Sequence, residues 1–154
     1  MQKLKMAVLV IIFILIVIQF IPYQRTNPPV TGEIQLPEQV HAIIKRSCYD
    51  CHSNQTRWPW YSHVAPVSWL VIGDVNDGRA HMNFSEWDSY DTQKQAKLIK
   101  EIPEEIEKGD MPPFRYLIIH TKAKLTQEDI QIVKEWAQEK PPLGHGTEVE
   151  KAPE

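Results

Sequence analysis

The stretch that says most about this chain is Cys48-Tyr49-Asp50-Cys51-His52, which holds its only two cysteines. Two thiols at this spacing, followed at once by an imidazole, form the C-x-x-C-H pattern at which c-type haem is attached. The thiols can reach the two vinyl groups of one porphyrin and form thioethers, and the imidazole can then bind the iron. We therefore predict one covalent haem c, with Cys48 and Cys51 as the attachment residues and His52 as the proximal iron ligand.

Three other uses of a C-x-x-C pair fit the sequence less well. A zinc site needs about four nitrogen or sulfur ligands, and the chain has no second cysteine pair and no histidines at zinc-finger spacing. A thioredoxin-like redox site expects a βαβ setting, whereas the sequence around the motif has a helical pattern. A disulfide between Cys48 and Cys51 would close a very short loop and would stabilise the fold little.

The N-terminus carries an apolar run, with residues 6–18 (MAVLVIIFILIVI) entirely apolar. As a helix, residues 4–23 would extend about 30 Å, which is the thickness of a bilayer core. The sequence that follows the run, QFIPYQR, lacks the small residues of a signal-peptidase site. Because Lys3 and Lys5 precede the run, they are expected to stay in the cytoplasm. We predict that residues 1–23 form an uncleaved, single-pass anchor in a bacterial inner membrane, with the remainder in the periplasm, where c-type haem is attached.

The charge of the chain says little about its partners. The sequence has 20 acidic and 17 basic residues, and two of the basic ones, Lys3 and Lys5, precede the apolar run. The exported part is therefore mildly acidic, which would suit a basic protein partner. No basic stripe indicates nucleic-acid binding.

Composition divides the rest of the chain into three parts. Residues 24–36 are rich in proline and polar residues, which indicates a linker. Residues 37–140 have apolar residues at helical spacing and no convincing strand, so they are predicted to form an all-α, cytochrome c-like domain wrapped around one haem. Residues 141–154 begin with two prolines and continue as a polar tail, which we expect to be disordered.

Four helices are predicted within this domain. They span residues 37–47, 67–77 and 92–108, and a last one begins at Thr126, where Asp129 can complete a capping box. Gly78 is expected to help end the second of these helices. Pro103 is expected to kink or divide the third, and Gly109 to end it.

The sixth coordination position of the iron decides what the protein can do, and Met111 is the leading candidate for it. It lies in Gly109-Asp110-Met111-Pro112-Pro113, where the two prolines would keep the backbone extended and present the thioether. A sulfur ligand favours reduced iron, so His/Met ligation raises the reduction potential. Three alternatives stay open, namely a Met111 that only fills a gap in the core, an open sixth position, and another ligand from among Met82, His63, His81 and His120.

The remaining candidates concern the walls of the haem pocket. At least one bulky aromatic residue is expected to line it, from among Trp58, Trp60, Tyr61, Trp69 and Trp87. Arg57 or Arg79 could pair with a haem propionate, although a solvated surface arginine is the more common outcome.

Several separated motifs resemble the small bacterial haem-binding domain family, within the class I cytochrome c architecture. The segments are CYDCHSNQTRWPWYSHVAPVSW (48–69), DVNDGR (74–79), NFSEW (83–87) and GDMPP (109–113), and the resemblance covers residues 33–138. It implies a haem c held by Cys48 and Cys51, with His52 proximal and Met111 distal. The resemblance indicates the cofactor more firmly than it indicates the physiological role of the protein.

These expectations favour an electron carrier rather than an enzyme. A membrane-anchored monohaem cytochrome with His52 and Met111 on the iron would pass single electrons to a redox partner protein on the periplasmic side. A haem-based gas or redox sensor, or a small peroxidase-like module, would instead need a labile or vacant sixth position. Ligation by Met111 distinguishes the first function from the other two.

Overall fold

The computed structural model describes residues 1–139, and these contain helices and turns but no strand. The prediction of an all-α fold is therefore confirmed for the described part of the chain. The helices are α1 (Gln2–Val17), α2 (Glu38–Ser47), α3 (Tyr49–His52), α4 (Val67–His81), α5 (Thr92–Lys108), α6 (Phe114–Leu117) and α7 (Gln127–Gln138). The predicted tail at residues 141–154, with the two prolines that begin it, lies outside the described residues.

Helix α1 contains the apolar run and continues through a 3-10 turn at Ile18–Phe20. Over Gln2–Phe20, which are 19 residues, the helix is long and apolar enough to cross a membrane, and none of it is buried in the protein. Apolar side chains that face outward on every side suit lipid better than water.

The core lies between α2, α5 and α7. Each of these helices turns an apolar stripe inward, as the spacing of its apolar residues predicts. The buried side chains include Val40, Ile43, Ile44, Leu98, Ile99, Ile102, Ile106, Val133 and Trp136. Helix α7 begins with the predicted capping box between Thr126 and Asp129. Arg46 of α2 donates a hydrogen bond to Asp129 at 2.8 Å and so ties α2 to the start of α7.

Helix α5 runs without interruption from Thr92 to Lys108, although Pro103 lies inside it. The expected division of this helix does not occur. A proline removes one backbone hydrogen bond, and the buried stripe of Leu98, Ile99, Ile102 and Ile106 holds the helix against the core on both sides of it. Gly109 ends the helix in the left-handed region, with φ at 80°, as predicted.

Gly78 does not end α4 but lies inside it, because the helix continues to His81. A β-carbon at position 78 would approach the carbonyl oxygen of Cys51 to 2.6 Å. Glycine is therefore needed here for the close packing of α4 against the helix that carries the cysteine motif. The sequence shows a glycine at this position but not the contact that requires it.

Replacing Gly78 with alanine should lower the free energy of unfolding by about 1–3 kcal/mol, because the contact with backbone atoms of Cys51 cannot relax by a rotamer change. Gly73 on the same helix is the matched control, since a β-carbon there would meet nothing within 4 Å. Gly73→Ala should be neutral or stabilising by up to about 1 kcal/mol. Thermal melting of the two variants in detergent tests this, and equal melting temperatures would contradict it.

The proline-rich residues 24–36 lie against the domain. The backbone N–H of Ile34 donates to the carbonyl of Phe84 at 3.0 Å, and the Ile34 side chain is buried in the core. Gly32 packs so closely on Asp88 that a β-carbon would approach the Asp88 β-carbon to 2.6 Å. The chain between α1 and α2 therefore follows the surface of the helical domain.

Candidate functional site

The cysteine motif forms the short helix α3, which follows α2 almost directly. The N–H of Cys48 donates to the carbonyl of Ile44 at 2.8 Å, and the N–H of His52 donates to the carbonyl of Cys48 at 2.9 Å. Cys48 caps the start of α3 and Cys51 lies inside it, and the two thiols are close enough to interact electrostatically. Both cysteines are free and half-buried.

Burial keeps both thiols protonated. It raises the pKa of Cys48 to about 12 and that of Cys51 to about 11, and the negative charge of Asp74 adds to the effect at Cys51. A redox-active cysteine reacts as a thiolate, whereas a thioether retains no ionisable proton. The raised pKa values therefore weaken the thioredoxin-like alternative. No cluster of three or more His, Cys, Asp or Glu residues that could hold a metal ion occurs within residues 1–139.

His52 is buried and oriented by a backbone carbonyl. Its Nδ1 lies 3.1 Å from the carbonyl oxygen of Met82. A carbonyl can only accept, so Nδ1 carries the proton and donates, and the lone pair of the neutral ring is then on Nε2, the atom that can bind a metal. Burial lowers the pKa of His52 and so favours the neutral imidazole that ligation requires.

Phe84 supports the ring of His52 from another direction. The two rings meet edge to face, with centroids 6.4 Å apart and planes at 66°. Tyr49 stacks on Phe84 at 5.4 Å, and the N–H of Phe84 donates to the carbonyl of His52 at 2.8 Å. The segment that contains Met82 and Phe84 therefore fixes both the backbone and the side chain of His52.

A buried polar network holds this segment against the residues that follow the motif. Asn83 donates through Nδ2 to Oδ1 of Asn54 at 2.8 Å, and the N–H of Asn54 donates to Oγ of Ser85 at 3.0 Å. The N–H of Ser85 donates to Oδ1 of Asn83 at 3.0 Å. The NFSEW motif thus has a structural role, which sequence reasoning recognised only as part of a resemblance.

Arg79 also stabilises the motif, because its guanidinium donates hydrogen bonds to four acceptors in the protein. It donates to the carbonyls of Ser53 and Thr26, each at 2.8 Å, to Oδ1 of Asn27 at 3.0 Å and to Oγ1 of Thr56 at 2.8 Å. A solvated surface arginine, the more common of the two expected roles, does not describe this residue, and its pairing with a haem propionate stays a prediction. It connects α4 to the residues after α1 and after α3.

Arg79→Met should destabilise the fold by about 2 kcal/mol or more, because the bonds of a charged donor are lost and two carbonyls are left unpaired. Arg57→Met is the matched control. The Arg57 side chain is 76% exposed and lies 3.5 Å from Asp50, so its removal should cost less than about 1 kcal/mol. Chemical denaturation followed by circular dichroism distinguishes the two, and an Arg79→Met loss no larger than the control would contradict this assignment.

Met111 lies directly after α5, at the start of a stretch that we call the distal segment (residues 109–120) and that contains α6. The N–H groups of Asp110 and Met111 donate to the carbonyl of Glu105 at 3.1 and 3.2 Å, which fixes the start of this segment. The Met111 side chain is 38% exposed. It is therefore not the core-filling methionine of the alternative interpretation.

Two side chains of α6, within the distal segment, contact the region of the cysteine motif. Tyr116 donates to Oδ2 of Asp50, which lies between the two cysteines, at 2.8 Å. Arg115 forms an ion pair with Asp74 of α4, with Nε 3.0 Å from Oδ2. Burial, and then the charge of Asp50, raise the pKa of Tyr116, so it remains a phenol that donates. The fold thus brings the distal segment to the part of the molecule that carries Cys51.

The other candidate iron ligands have different surroundings. Met82 is buried in the hydrophobic core, and His63 is exposed. His81 is exposed and lies 3.5 Å from Glu101. His120 is half-buried, with Nε2 2.5 Å from the hydroxyl of Tyr61 and its ring stacked on Tyr116 at 4.2 Å. The distal segment therefore carries two candidates, Met111 and His120, and ligation of the iron by Met111 stays a prediction.

The aromatic residues predicted to line the haem pocket also differ in their surroundings. Trp87 is buried in the core and stacks on Phe84 at 6.2 Å. Nε1 of Trp58 and Oγ of Ser47 are buried and have no hydrogen-bond partner within residues 1–139. A buried donor without a partner is costly, and a ligand with an acceptor oxygen beside Trp58 would satisfy its Nε1.

Large apolar side chains are exposed in two stretches of the helical domain. One set is Trp60, Val64, Val67 and Leu70, and the other, in the distal segment, is Met111, Phe114, Ile118 and Ile119. The hydrogen bond between Tyr61 and His120 connects the two stretches. Exposed apolar surface of this kind marks a site for a ligand, a protein or a membrane.

Comparison with known proteins gives one match. The sequence model of a haem-binding domain family matches residues 13–139, which is most of the chain. No curated protein and no solved structure matches the chain.

Proposed function

We propose that this chain, which belongs to the haem-binding domain family, is a membrane-anchored monohaem c-type cytochrome that carries single electrons. The observation that carries the proposal is the state of His52. Its Nδ1 donates to the carbonyl of Met82, so Nε2 carries the lone pair of the neutral ring, and His52 directly follows Cys51 in a motif whose two thiols interact with each other. This donor set fits a covalently attached haem.

Different residues of the chain would bind different parts of the haem. Cys48 and Cys51 would form the thioethers, His52 would ligate the iron through Nε2, and Met111 would supply the thioether of the sixth position. When bound, haem supplies an iron that changes oxidation state by one electron. A methionine sulfur favours the reduced state and raises the potential. Nε1 of Trp58, a buried donor with no partner within the described residues, would donate to a propionate.

The surroundings of His52 would hold its ring in one orientation whether a bound iron is oxidised or reduced. Phe84 and the carbonyl of Met82 fix the plane and the tautomer of the ring, and partners of this kind determine the orientation and basicity of a metal-bound histidine. A rigid ligand sphere limits reorganisation when an electron is gained or lost. This favours an electron carrier over a catalyst.

The anchor would place the site beside a membrane. Helix α1 is apolar enough to span a bilayer, and Lys3 and Lys5 at its start would stay in the cytoplasm. The helical domain would then lie in the periplasm of a bacterial cell, attached to the inner membrane. Its acidic excess suits a redox partner with a basic docking surface.

A ligand-binding sensor is the second candidate, and one observation favours it. Met111 is partly exposed and belongs to a connecting segment, so a diatomic ligand could displace it more readily than a buried ligand. The same segment carries His120, paired with Tyr61.

A potentiometric titration of the purified full-length protein tests the proposed function. One haem with permanent His52 and Met111 ligation should give a single one-electron wave that is unchanged under carbon monoxide. A wave that moves upward when carbon monoxide is present would support the sensor instead, because the gas would then bind the reduced iron.

A further inference from the structure

We infer that the helical domain lies on the surface of the same bilayer that its anchor crosses, and that it contacts the lipid headgroups through an apolar corner. The apolar corner consists of Trp60, Val64, Val67 and Leu70, at the turn that leads into α4. The inference rests on the membrane anchoring contained in the proposed function, and it adds a lipid-contacting surface on the domain itself.

The first observation is a direct contact between the end of the anchor and this corner. Gln19 donates through Nε2 to the carbonyl of Ala65 at 3.0 Å, and its Oε1 accepts from the N–H of Ala65 at 3.0 Å. Ala65 is buried, so its backbone groups need partners, and Gln19 supplies both. Arg25 adds a bond to the carbonyl of Ser62 at 3.0 Å.

This contact determines how far the corner lies from the membrane. Gln19 is at the end of the membrane-competent stretch Gln2–Phe20, so in a bilayer it lies at the boundary between the acyl chains and the headgroups. Hydrogen bonds of 3.0 Å place Ala65 at nearly the same depth. Val64 and Val67, which flank Ala65 in sequence, must then lie at the level of the headgroups.

The second observation is the chemistry of the corner. Its four side chains are between 42% and 78% exposed, and residues 58–73 contain no aspartate, glutamate, lysine or arginine. Such a stretch is costly to expose to water but suits the membrane interface, where tryptophan in particular is enriched. Phe20 and Tyr23, on the chain that leaves the anchor, are exposed as well.

The two observations together select lipid as the partner of this surface. The contact with Gln19 turns the corner toward the bilayer, and the absence of formal charge removes the cost of bringing it there. The domain would then be held at a fixed height instead of moving freely on a tether.

Photo-crosslinking to lipid tests this inference in the full-length, haem-loaded chain in phosphatidylethanolamine/phosphatidylglycerol vesicles. The photoreactive residue p-benzoylphenylalanine replaces Leu70 in the corner, Phe13 in the anchor, or Lys100 on α5, whose side chain is 81% exposed. Mass spectrometry then detects phospholipid adducts. We expect adducts at positions 13 and 70 at comparable yield, and a yield at position 100 that is several-fold lower.

Other results would overturn the inference in distinguishable ways. A lipid adduct at position 13 with none at position 70 would leave the anchor and the haem function intact but remove the docking surface. A crosslink at position 70 to a second copy of the chain would assign the corner to self-association. No lipid adduct at position 13 would remove the anchoring itself, and the docking inference with it.

The role of Gln19 is tested separately by Gln19→Leu, which keeps the apolar anchor but removes both bonds to Ala65. The lipid adduct at position 70 should fall several-fold, while the adduct at position 13 should be unchanged. An undiminished adduct at position 70 would show that Gln19 does not hold the corner at the membrane.

Discussion

Replacing Cys48 and Cys51 together with alanine is expected to abolish covalent haem. The double variant, produced with the cytochrome c maturation machinery, should give no haem-stained band on a denaturing gel and should lack the mass of the cofactor. The reason is that the thioethers require both sulfurs, and these are the only cysteines in the chain. Each single variant should keep one thioether at lower yield.

Ser47→Ala is the control for this experiment. Ser47 is buried next to Cys48, and its hydroxyl has no partner within the described residues, so its loss should disturb the fold little. Covalent haem should persist in this variant. Haem that survives denaturation in the double cysteine variant would contradict the attachment to Cys48 and Cys51.

Met111→Ala is expected to lower the reduction potential and to open the iron to carbon monoxide. A thioether ligand stabilises reduced iron, and axial ligands alter potentials over a range of about 0.8 V, so the fall should be large compared with the error of a titration. Because Met111 is partly exposed in the segment between α5 and α6, its truncation should affect the fold much less than the iron.

Met82→Leu is the matched control for Met111. Met82 is the other methionine close to the site in the fold, but its side chain is buried in the core. A leucine of similar volume should cost less than about 1.5 kcal/mol and leave the spectrum unchanged. An unchanged spectrum and potential in Met111→Ala would contradict Met111 as the ligand, and His120→Phe would then be the next variant to measure.

What the sequence predicts well is what short-range patterns determine. The all-α fold, the long apolar helix α1 and the capping box at Thr126 are confirmed, and each is predicted from the spacing of side chains along the sequence. The left-handed end of α5 at Gly109 was predictable for the same reason. The division of α5 that Pro103 could have caused does not occur, because the burial of a long apolar stripe outweighs the cost of one missing hydrogen bond.

What the sequence does not reveal depends on contacts between distant residues. Gly78 is required by the carbonyl of Cys51, and Arg79 by the carbonyls of Ser53 and Thr26. In the sequence, Gln19 is only a polar residue at the end of the apolar run, and its hydrogen bond to Ala65 is visible only in the structure. The NFSEW motif contained a usable signal, since small polar residues around a phenylalanine favour a structured turn, but its contact with His52 needs the fold.

The visible absorption spectrum of the purified, haem-loaded protein tests the central claim most directly. It would be recorded oxidised, reduced, and reduced under carbon monoxide. A closed site with His52 and Met111 on the iron predicts a low-spin c-type spectrum, the red band of a thioether bound to ferric iron, and no response to carbon monoxide. A high-spin or carbon monoxide-sensitive spectrum would contradict the electron-carrier account, and the absence of covalent haem would contradict the assignment of the site as a whole.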